Sequence, residues 1–333
     1  MKLDEFTDAR PYQIMCLICR LGRRGRAAYY FEGRLDGIQR KIRQNRDCPV
    51  CLRCNVESTF KFQNPGHKYD TPEGKLFNIR RDLTILQKLG LLPGSIIPAA
   101  DLIKRFVRDG ISSTDGVCGF GNNAIGCKFA KSGNYERGIK ICYDSLIQIR
   151  SEDELAECKT HTAKKLYSRK RLDIRPHHLM CIGCVAGDKK TEDFKYLKED
   201  HLFEVLEICR NNPETPIKLI SGPCMICAPC PGYFPDTGFC SQNFCMGLRD
   251  QKKDIDVLVS LGLNYGDVLP AYKLFDLLFE KISSTAQICG FGNAIKTGPA
   301  WSICGGENKL DGSLEFKKAR KAGLGIKGVK RRK

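Results

Sequence analysis

Hydrophobic positions in the second half of the chain show the spacing of an amphipathic helix. Leu202, Val205, Leu206 and Cys209 would share one face of a helix predicted over 201–211. A cysteine on such a face behaves as a small hydrophobic residue. Cys209 is therefore predicted to be a buried core thiol and not a ligand.

Other apolar runs predict further helices and a strand. The runs 83–89 and 255–261 are each followed by a glycine, which is typical of a helix C-cap. Helices are also predicted over 98–107 and 270–282, where a proline near the first turn costs little. The run 217–220 is strand-like. Together these elements predict a helix-rich α+β fold.

Much of this pattern occurs twice. Arg10–Cys19 returns as Arg175–Cys184, and Ile111–Asn122 returns as Ile282–Asn293, each ending in Cys-Gly-Phe-Gly-Asn. Such internal similarity predicts two tandem cysteine-rich pseudo-repeat domains with metal-organised loops. The predicted segments are a first, diverged repeat over 1–158, a basic linker over 159–173, a second repeat over 174–316 and a basic tail over 317–333.

The net charge of +17 is concentrated in a few segments. The segment 317–333 holds nine Lys or Arg residues, 159–171 holds six, and neither contains an acidic residue. A third basic stretch runs from Arg20 to Arg46. Such segments are commonly solvated surfaces and flexible tails, but they also attract nucleic acid or an acidic protein partner. The sequence leaves both interpretations open.

The expected cellular location and the high cysteine content together favour metal binding. The chain has no apolar run near the roughly 20 residues of a membrane helix, so no membrane association is expected. Its first residues lack a basic region followed by a long apolar core, which favours the cytoplasm over secretion. In a reducing compartment, the nineteen cysteines are better explained by metal than by disulfides.

Two closely spaced cysteine triplets carry the strongest chemical signal. They are Cys48, Cys51 and Cys54 in the first repeat and Cys224, Cys227 and Cys230 in the second. Three thiolates at this spacing can bind three corners of an iron–sulfur cubane, and a remote cysteine can bind the fourth. Zinc more often takes two separate pairs, or cysteine together with histidine. The triplets therefore favour iron over zinc.

Further cysteines recur with the triplets, which gives seven per repeat that can be paired between the copies. These additional predicted ligands are Cys16, Cys19, Cys118 and Cys142, then Cys181, Cys184, Cys289 and Cys304. Cys127 in the first repeat, and Cys240 or Cys245 in the second, could supply an eighth ligand. Two clusters per repeat are therefore possible by number, and at least one is expected.

The Cys-Gly-Phe-Gly-Asn elements contribute glycines as well as cysteines. Glycine next to a ligand lets the backbone turn closely around a cluster and direct its amides at the sulfurs. The predicted cluster-binding glycines are Gly119, Gly121, Gly290 and Gly292. An ordinary turn is the alternative interpretation.

A histidine pair, His177 and His178, stands where the first copy has Tyr12 and Gln13. A function common to both copies therefore does not require an imidazole at this position. The pair could transfer protons, bind a metal or serve a structural role. A nucleophilic Cys181 activated by histidine is a further alternative, but a cysteine three residues from another fits metal binding better.

A short motif in the second half is shared with a known family. Arg-Pro-His-His-Leu-Met-Cys at 175–181, the cysteine loop 224–230 and the Leu-Gly-Leu turn at 261–263 resemble the domain-of-unknown-function 1284 family of small bacterial and archaeal proteins. The resemblance covers 174–279. It implies iron–sulfur binding, with the family positions taken by His177, His178, Cys181, Cys224, Cys227 and Cys230. Since the family has no established reaction, the activity stays open.

The combined expectation is a cytoplasmic iron–sulfur protein. It would be an electron carrier or redox subunit with at least one [4Fe–4S]-type cluster per repeat and an acidic redox partner. The alternative is a zinc-stabilised protein that binds nucleic acid through Arg20–Arg46 and 317–333, with an affinity that falls steeply with salt. No catalytic residue is predicted, because the chain shows neither a Walker phosphate loop nor a radical C-x-x-x-C-x-x-C arrangement.

Overall fold

A computed structural model describes residues 6–57, 59–108, 111–119, 126–147, 150–188, 199–235, 239–240, 248–290 and 313–332. The chain divides into two units, 1–149 and 150–333. Both units combine helices with a small sheet, which confirms the predicted α+β class. Within the described ranges, no helix has both the length and the apolar composition that crossing a membrane requires.

The first unit is built around a three-stranded sheet. Its elements are β1 (Thr7–Ala9), α1 (Pro11–Leu21), α2 (Glu32–Gln44), β2 (Pro49–Leu52), a 3₁₀ turn (Lys61–Gln63), α3 (Lys75–Leu89), β3 (Ser95–Pro98), α4 (Ala99–Arg108), α5 (Asn134–Gly138) and α6 (Cys142–Leu146). The strand order is β1-β2-β3. β1 runs parallel to β2, with Thr7 opposite Val50, and β3 runs antiparallel to β2, with Ile97 opposite Val50.

Helix α1 is a central element of this unit. Arg10 is its N-cap, and Pro11 occupies the first turn, where a missing amide N–H costs little. The Gln13 side chain accepts a hydrogen bond from the Arg10 main-chain N–H at 3.0 Å. The apolar side chains of Ile14 and Ile18 are fully buried, and each such burial contributes about 1.5–3 kcal/mol. The helix therefore holds its two cysteines in fixed positions.

The second unit contains a sheet of the same kind. Its elements are α7 (Glu152–Tyr167), β4 (Leu172–Ile174), α8 (Pro176–Gly187), α9 (Leu202–Asn211), β5 (Pro216–Leu219), a 3₁₀ turn (Met225–Cys227), β6 (Tyr233–Phe234), β7 (Phe239–Cys240), α10 (Leu248–Leu261), β8 (Val268–Pro270), α11 (Ala271–Lys281), α12 (Ala286–Cys289) and α13 (Leu314–Ala322). The order β4-β5-β8 has a parallel pair followed by an antiparallel pair, as in the first unit. β6 and β7 form a separate antiparallel pair.

Several elements lie where the hydrophobic pattern predicts them. The helix predicted over 201–211 is α9, the strand-like run is β5, and the two proline-led helices are α4 and α11. Gly90 and Gly262 end α3 and α10 with φ of 64° and 68°, a left-handed conformation that favours glycine. Cys209 is fully buried, which confirms its prediction as a core thiol.

The basic segment 317–333 differs from the predicted flexible tail. It continues α13, whose Phe316 is fully buried against α8. Ile326, further along the segment, is also buried, and Arg332 pairs with Asp276 at 2.6 Å. Apolar residues interspersed among the basic ones explain the difference, because they pack into the core of the second unit.

The predicted linker 159–173 is also part of the second unit. It contains the end of α7 and the start of β4. Lys159 is buried and pairs with Glu204 at 2.7 Å. The boundary between the units falls between 149 and 150 instead. Charge alone indicated a solvated segment, but a lysine can bury its stem and pair its ammonium group with a carboxylate.

In each unit, a buried arginine–aspartate pair joins the start of one helix to a later helix. The arginine is the N-cap of α1 in the first unit and of α8 in the second. Arg10 bonds Asp82 of α3 at 2.6 Å, and Arg175 bonds Asp254 of α10 at 2.7 Å. Each aspartate also accepts the main-chain N–H two residues after the arginine. Sequence reasoning missed these pairs, although each aspartate stands eight residues before a predicted C-cap glycine.

Candidate metal centres

Four cysteines of the first unit line a single cavity. Cys16 and Cys19 stand three residues apart on α1, so they share one side of the helix. Cys118 and Cys127 come from the segment between α4 and α5. The other lining residues are Met15, Tyr29, Thr114, Phe129 and Ala130. Four predicted ligands are thus brought together from distant parts of the sequence.

Close backbone contacts hold the second pair of cysteines in place. The Cys127 main-chain N–H donates to the Cys118 carbonyl at 2.8 Å. A Cβ at Gly126 would lie 2.8 Å from the same carbonyl oxygen, so only glycine fits there. Gly119 pairs with Gly126 in an isolated bridge, and a Cβ on Gly119 would lie 3.2 Å from the Cβ of Ala130. Gly126 is a residue that the sequence reasoning missed.

The four sulfurs of this cavity do not form a compact group of the kind that binds one metal ion. The structure describes all four cysteines, and no three of their sulfurs lie within 4.8 Å of one another. A tetrahedral zinc ion with Zn–S distances of about 2.3 Å would place its sulfurs about 3.8 Å apart. A cubane cluster carries its thiolates on separate irons at its corners, and therefore further apart. The spacing fits a cluster better than one zinc ion.

Burial disfavours the thiolate forms of these cysteines. It raises the pKa of Cys19 to about 11 and that of Cys118 to about 12. It also raises the pKa of Cys16 and of Cys127 above the ordinary value. A metal or cluster must therefore displace protons to bind, so its binding is expected to weaken as the pH falls.

A buried arginine supplies positive charge beside the cavity. The Arg81 side chain is fully buried, and its Nη2 donates to Asn78 Oδ1 at 2.7 Å and to Thr71 Oγ1 at 3.1 Å. Its Nε and Nη1 are buried without a well-formed hydrogen bond. Burial dominates the pKa of Cys16 and Cys118, but the Arg81 charge lowers both. Since unpaired buried donors are costly, this arrangement favours negative charge on the neighbouring sulfurs.

The structure does not bring the first cysteine triplet together. Cys51 lies within β2, whereas Cys48 precedes this strand and Cys54 follows it. Cys48 Sγ lies 3.2 Å from Thr7 Oγ1, whereas Cys51 Sγ contacts the Gly94 carbonyl at 3.8 Å. Cys54 is fully buried. The prediction that these three thiols bind one cluster therefore differs from their placement.

The sheet register also separates the two triplets that the sequence paired. Cys51 lies opposite Asp8 in the first sheet, and Lys218 lies opposite Asp173 in the second. Cys51 therefore corresponds to Lys218, in a strand, and not to Cys227, which lies beyond the strand. The two triplets resemble each other in spacing alone.

Cys142 lies apart from the cavity as well. It begins α6, and its sulfur contacts the Ile139 carbonyl at 3.5 Å. The cavity is lined by Cys127 instead, which the sequence offered as a spare ligand.

One group of ligand atoms in the second unit is compact enough for a single metal ion. His178 lies in the first turn of α8, while Cys224 and Cys227 lie at the start and end of the 3₁₀ turn after β5. His178 Nδ1 lies 3.2 Å from Cys224 Sγ, which lies 4.0 Å from Cys227 Sγ. All three atoms lie within 4.8 Å of one another. His178, whose role the sequence left open, thus lies with two predicted ligands.

Hydrogen-bond donors surround Cys224. Burial would raise its pKa, but the hydrogen bond with Cys227 and those from the main-chain N–H groups of Arg175 and Ile226 lower it below the ordinary value. The pKa of Cys227 is raised, first by its hydrogen bond with Cys224 and then by burial. Cys224 is therefore the first of the two sulfurs to ionise.

His177 has a structural role. Its Nδ1 lies 2.8 Å from Asp254 Oδ1, and its main-chain N–H donates to the same oxygen at 2.9 Å. Its ring packs edge-on against that of His178, with centroids 4.6 Å apart. Burial and the neighbouring His178 lower the pKa of His177 to about 4, although Asp254 opposes this shift. His177 is therefore neutral near pH 7 and supports the His178 ring.

Other predicted ligands of the second unit lie near the same elements. Cys181 and Cys184 follow His178 on α8, and Cys184 Sγ lies 3.5 Å from Ser313 Oγ. Cys289 is buried at the end of α12, and Cys230 is half-buried in the loop after the 3₁₀ turn.

Some predicted residues have no described site. Gly121, Gly292, Cys245 and Cys304 lie outside the described residues, and Cys240 belongs to β7, of which the backbone is described. Gly290 follows Cys289, and a Cβ there would lie 2.9 Å from the Ala286 carbonyl oxygen, so glycine permits a close turn.

Comparison of the chain with protein-family models, with curated proteins and with solved structures found no match. The function of this protein is therefore inferred from the placement of its residues.

Proposed function

We propose that this protein binds an iron–sulfur cluster in its first unit, with Cys16, Cys19, Cys118 and Cys127 as the ligands. The observation that carries the proposal is the convergence of these four sulfurs on one cavity. No three of these sulfurs lie within 4.8 Å of one another, which supports a [4Fe–4S]-type cluster over a single zinc ion. The proposed role is that of a cytoplasmic electron carrier or redox subunit with an acidic partner protein.

The Arg81 guanidinium supports this proposal. A cubane bound by four thiolates is anionic, and charges and hydrogen bonds around its sulfurs tune its reduction potential. Arg81 is fully buried beside Cys16 and Cys118, with two nitrogens that lack well-formed hydrogen bonds. A cluster in the cavity would compensate this buried positive charge.

The proposal extends to the second unit as a tandem repeat of the first. The sheets have the same strand order and directions, and the buried arginine–aspartate pairs correspond. Cys181, Cys184 and Cys289 then take the positions of Cys16, Cys19 and Cys118. The fourth ligand of this second cluster is then one of the other candidate cysteines of the repeat, Cys240, Cys245 or Cys304.

The resemblance to the domain-of-unknown-function 1284 family supports iron and sulfur binding in the same way. Its implied positions include Cys181, which is shared with the proposed cluster of the second unit. The implied positions also include His178, Cys224 and Cys227. These three ligand atoms lie within 4.8 Å of one another, unlike the four sulfurs of the first unit.

The competing proposal of a zinc-stabilised nucleic-acid-binding protein has weaker support. Arg20 pairs with Asp36 at 2.8 Å, and Arg23 pairs with Glu32 at 3.1 Å. The basic segment 317–332 is folded against the second unit. These pairings leave less positive charge for phosphate. Tight binding of DNA or RNA at low salt, with a steep loss as salt rises, would restore this alternative.

The proposed function can be tested by purifying the whole chain without oxygen and measuring iron, acid-labile sulfide and the electronic spectrum. The proposal predicts a brown protein that contains iron and sulfide in equal amounts. A colourless protein with stoichiometric zinc and no sulfide would reject it.

A further inference from the structure

We propose that His178, Cys224 and Cys227 form a separate site for one thiophilic divalent metal ion of the zinc class. This inference does not depend on the iron–sulfur proposal, because it concerns different residues. It removes Cys224 and Cys227 from the predicted cluster ligands and gives His178 a defined role.

The two distances that involve Cys224 Sγ are close to those around one tetrahedral ion, and the third, between His178 and Cys227, is within 4.8 Å. With Zn–S distances of about 2.3 Å and Zn–N distances of about 2.0–2.1 Å, two sulfurs should lie about 3.8 Å apart and a nitrogen about 3.6 Å from a sulfur. The observed values are 4.0 Å between the sulfurs and 3.2 Å between His178 Nδ1 and Cys224 Sγ. These two distances differ from the expected ones by about 0.2 and 0.4 Å.

The alternatives fit these distances less well. A disulfide between Cys224 and Cys227 would need its sulfurs about 2.0 Å apart, roughly half the observed 4.0 Å. The terminal thiolates of a cubane cluster lie further apart, because each binds a separate iron. A mononuclear site with mixed nitrogen and sulfur donors is typical of zinc.

The corresponding part of the first unit shows what is specific to this site. There Gln13 occupies the place of His178, and its side chain accepts the Arg10 main-chain N–H at 3.0 Å. In the second unit the equivalent Arg175 N–H hydrogen-bonds the Cys224 sulfur instead. A histidine thus replaces the glutamine in the second unit, and a cysteine sulfur accepts the hydrogen bond that the glutamine side chain accepts in the first. Both differences are expected if His178 and Cys224 bind the same ion.

The surroundings can accommodate the charge of such a site. Two thiolates and a neutral imidazole balance a divalent ion, so the complex adds no net charge to a buried position. The Arg175 guanidinium, whose charge acts on both sulfurs, is held by the fully buried Asp254. His177, bonded to the same aspartate, packs against the His178 ring and limits its movement.

The described residues supply three protein ligands to this site. Among the described residues, no fourth His, Cys, Asp or Glu ligand atom joins this group within 4.8 Å. Three protein ligands and an open position are typical of zinc sites that bind water or a substrate.

Zinc itself is the probe for this site. The full chain, purified without oxygen, is treated with a chelator, re-equilibrated with zinc and analysed for zinc and iron, and its zinc-edge X-ray absorption is recorded. The proposal predicts about one bound zinc per chain with two sulfurs at about 2.3 Å and nitrogen or oxygen at about 2.0 Å. No zinc uptake, or a shell of four sulfurs, would overturn it.

Two variants make the assignment specific. His178→Gln copies the residue that the first unit uses at this position, so it should fold, and it should weaken zinc binding at least tenfold without changing the iron content. Cys158→Ser is the control, since Cys158 is another thiol of this unit whose sulfur contacts the Ala228 carbonyl at 3.3 Å. Unchanged zinc affinity in His178→Gln would reject the site. A loss of iron in that variant would make His178 part of the cluster instead, which also rejects it.

Discussion

Replacing Asp254 by asparagine should destabilise the second unit strongly. Asp254 is fully buried, and its Oδ2 accepts hydrogen bonds from Arg175 Nε at 3.0 Å and Nη2 at 2.7 Å. Its Oδ1 accepts the main-chain N–H of His177 and lies 2.8 Å from the His177 ring nitrogen. The amide would leave the Arg175 charge buried without its counter-ion. Removing one partner of such a pair costs about 3–5 kcal/mol.

The same helix provides a matched control. Asp256 pairs with Lys252 at 2.6 Å on the exposed side of α10, so Asp256→Asn makes the same chemical change at the surface. Exposed pairs four residues apart on a helix contribute about 0.3–0.5 kcal/mol. The two variants should therefore differ about tenfold in their effect on the free energy of unfolding.

Urea denaturation followed by far-ultraviolet circular dichroism can measure this difference. With a slope of about 1–3 kcal/mol per molar urea, Asp254→Asn should lower the unfolding midpoint of the second unit by about 1 M or more. The first unit has its own pair, Arg10 with Asp82, and should unfold as in the unmodified chain. If Asp254→Asn cost no more than Asp256→Asn, the buried pair would not be a main support of this unit.

Three further predictions concern the cavity and the pH. Gly126→Ala should reduce the iron content, because its Cβ would lie 2.8 Å from the Cys118 carbonyl oxygen; Gly37→Ala, which meets open space, should leave iron unchanged in the same assay. Arg81→Gln should shift the cluster midpoint potential to more negative values in protein-film voltammetry, because a buried positive charge no longer favours the reduced state; an unchanged potential would place Arg81 outside the cluster's field. In the folded protein the pKa of His177 is lowered to about 4, below its ordinary 6.5. Between these two pH values the unfolded chain therefore binds more protons than the folded one. The second unit should accordingly lose stability as the pH falls from about 6.5 to 4. His177→Gln should flatten that dependence in urea midpoints measured across this pH range, and an equally steep profile would contradict it.

The regular elements could be predicted from the sequence because their signals are local. The apolar spacing of 201–211 and the glycines after 83–89 and 255–261 depend on neighbouring residues, and the structure has a helix or a helix end at each place. Segments without such a local signal were harder to predict from the sequence. The basic run after Lys317 looked solvated from its charge, and its packing depends on Phe316 and Ile326 meeting a distant helix.

The candidate sites could be predicted in part. Cysteine content indicated metal, and Cys16, Cys19, Cys118 and Cys127 were all candidate ligands. Cysteine spacing could not show that the Cys48 sulfur contacts Thr7 while the Cys51 sulfur contacts Gly94, because these contacts depend on how β2 and its flanking residues meet distant segments. The buried aspartates were also missed, since each joins an arginine more than 70 residues away and ion pairing leaves no periodic signal.

The most direct test of the cluster proposal is the iron and sulfide content of Cys127→Ser beside Cys142→Ser, both purified without oxygen. Cys127 lines the four-sulfur cavity, whereas Cys142 is a buried thiol of the same unit whose sulfur contacts the Ile139 carbonyl. The proposal predicts that Cys127→Ser loses the iron and sulfide of one cluster and that Cys142→Ser retains both. Full iron and sulfide in Cys127→Ser, or their loss in Cys142→Ser alone, would contradict it.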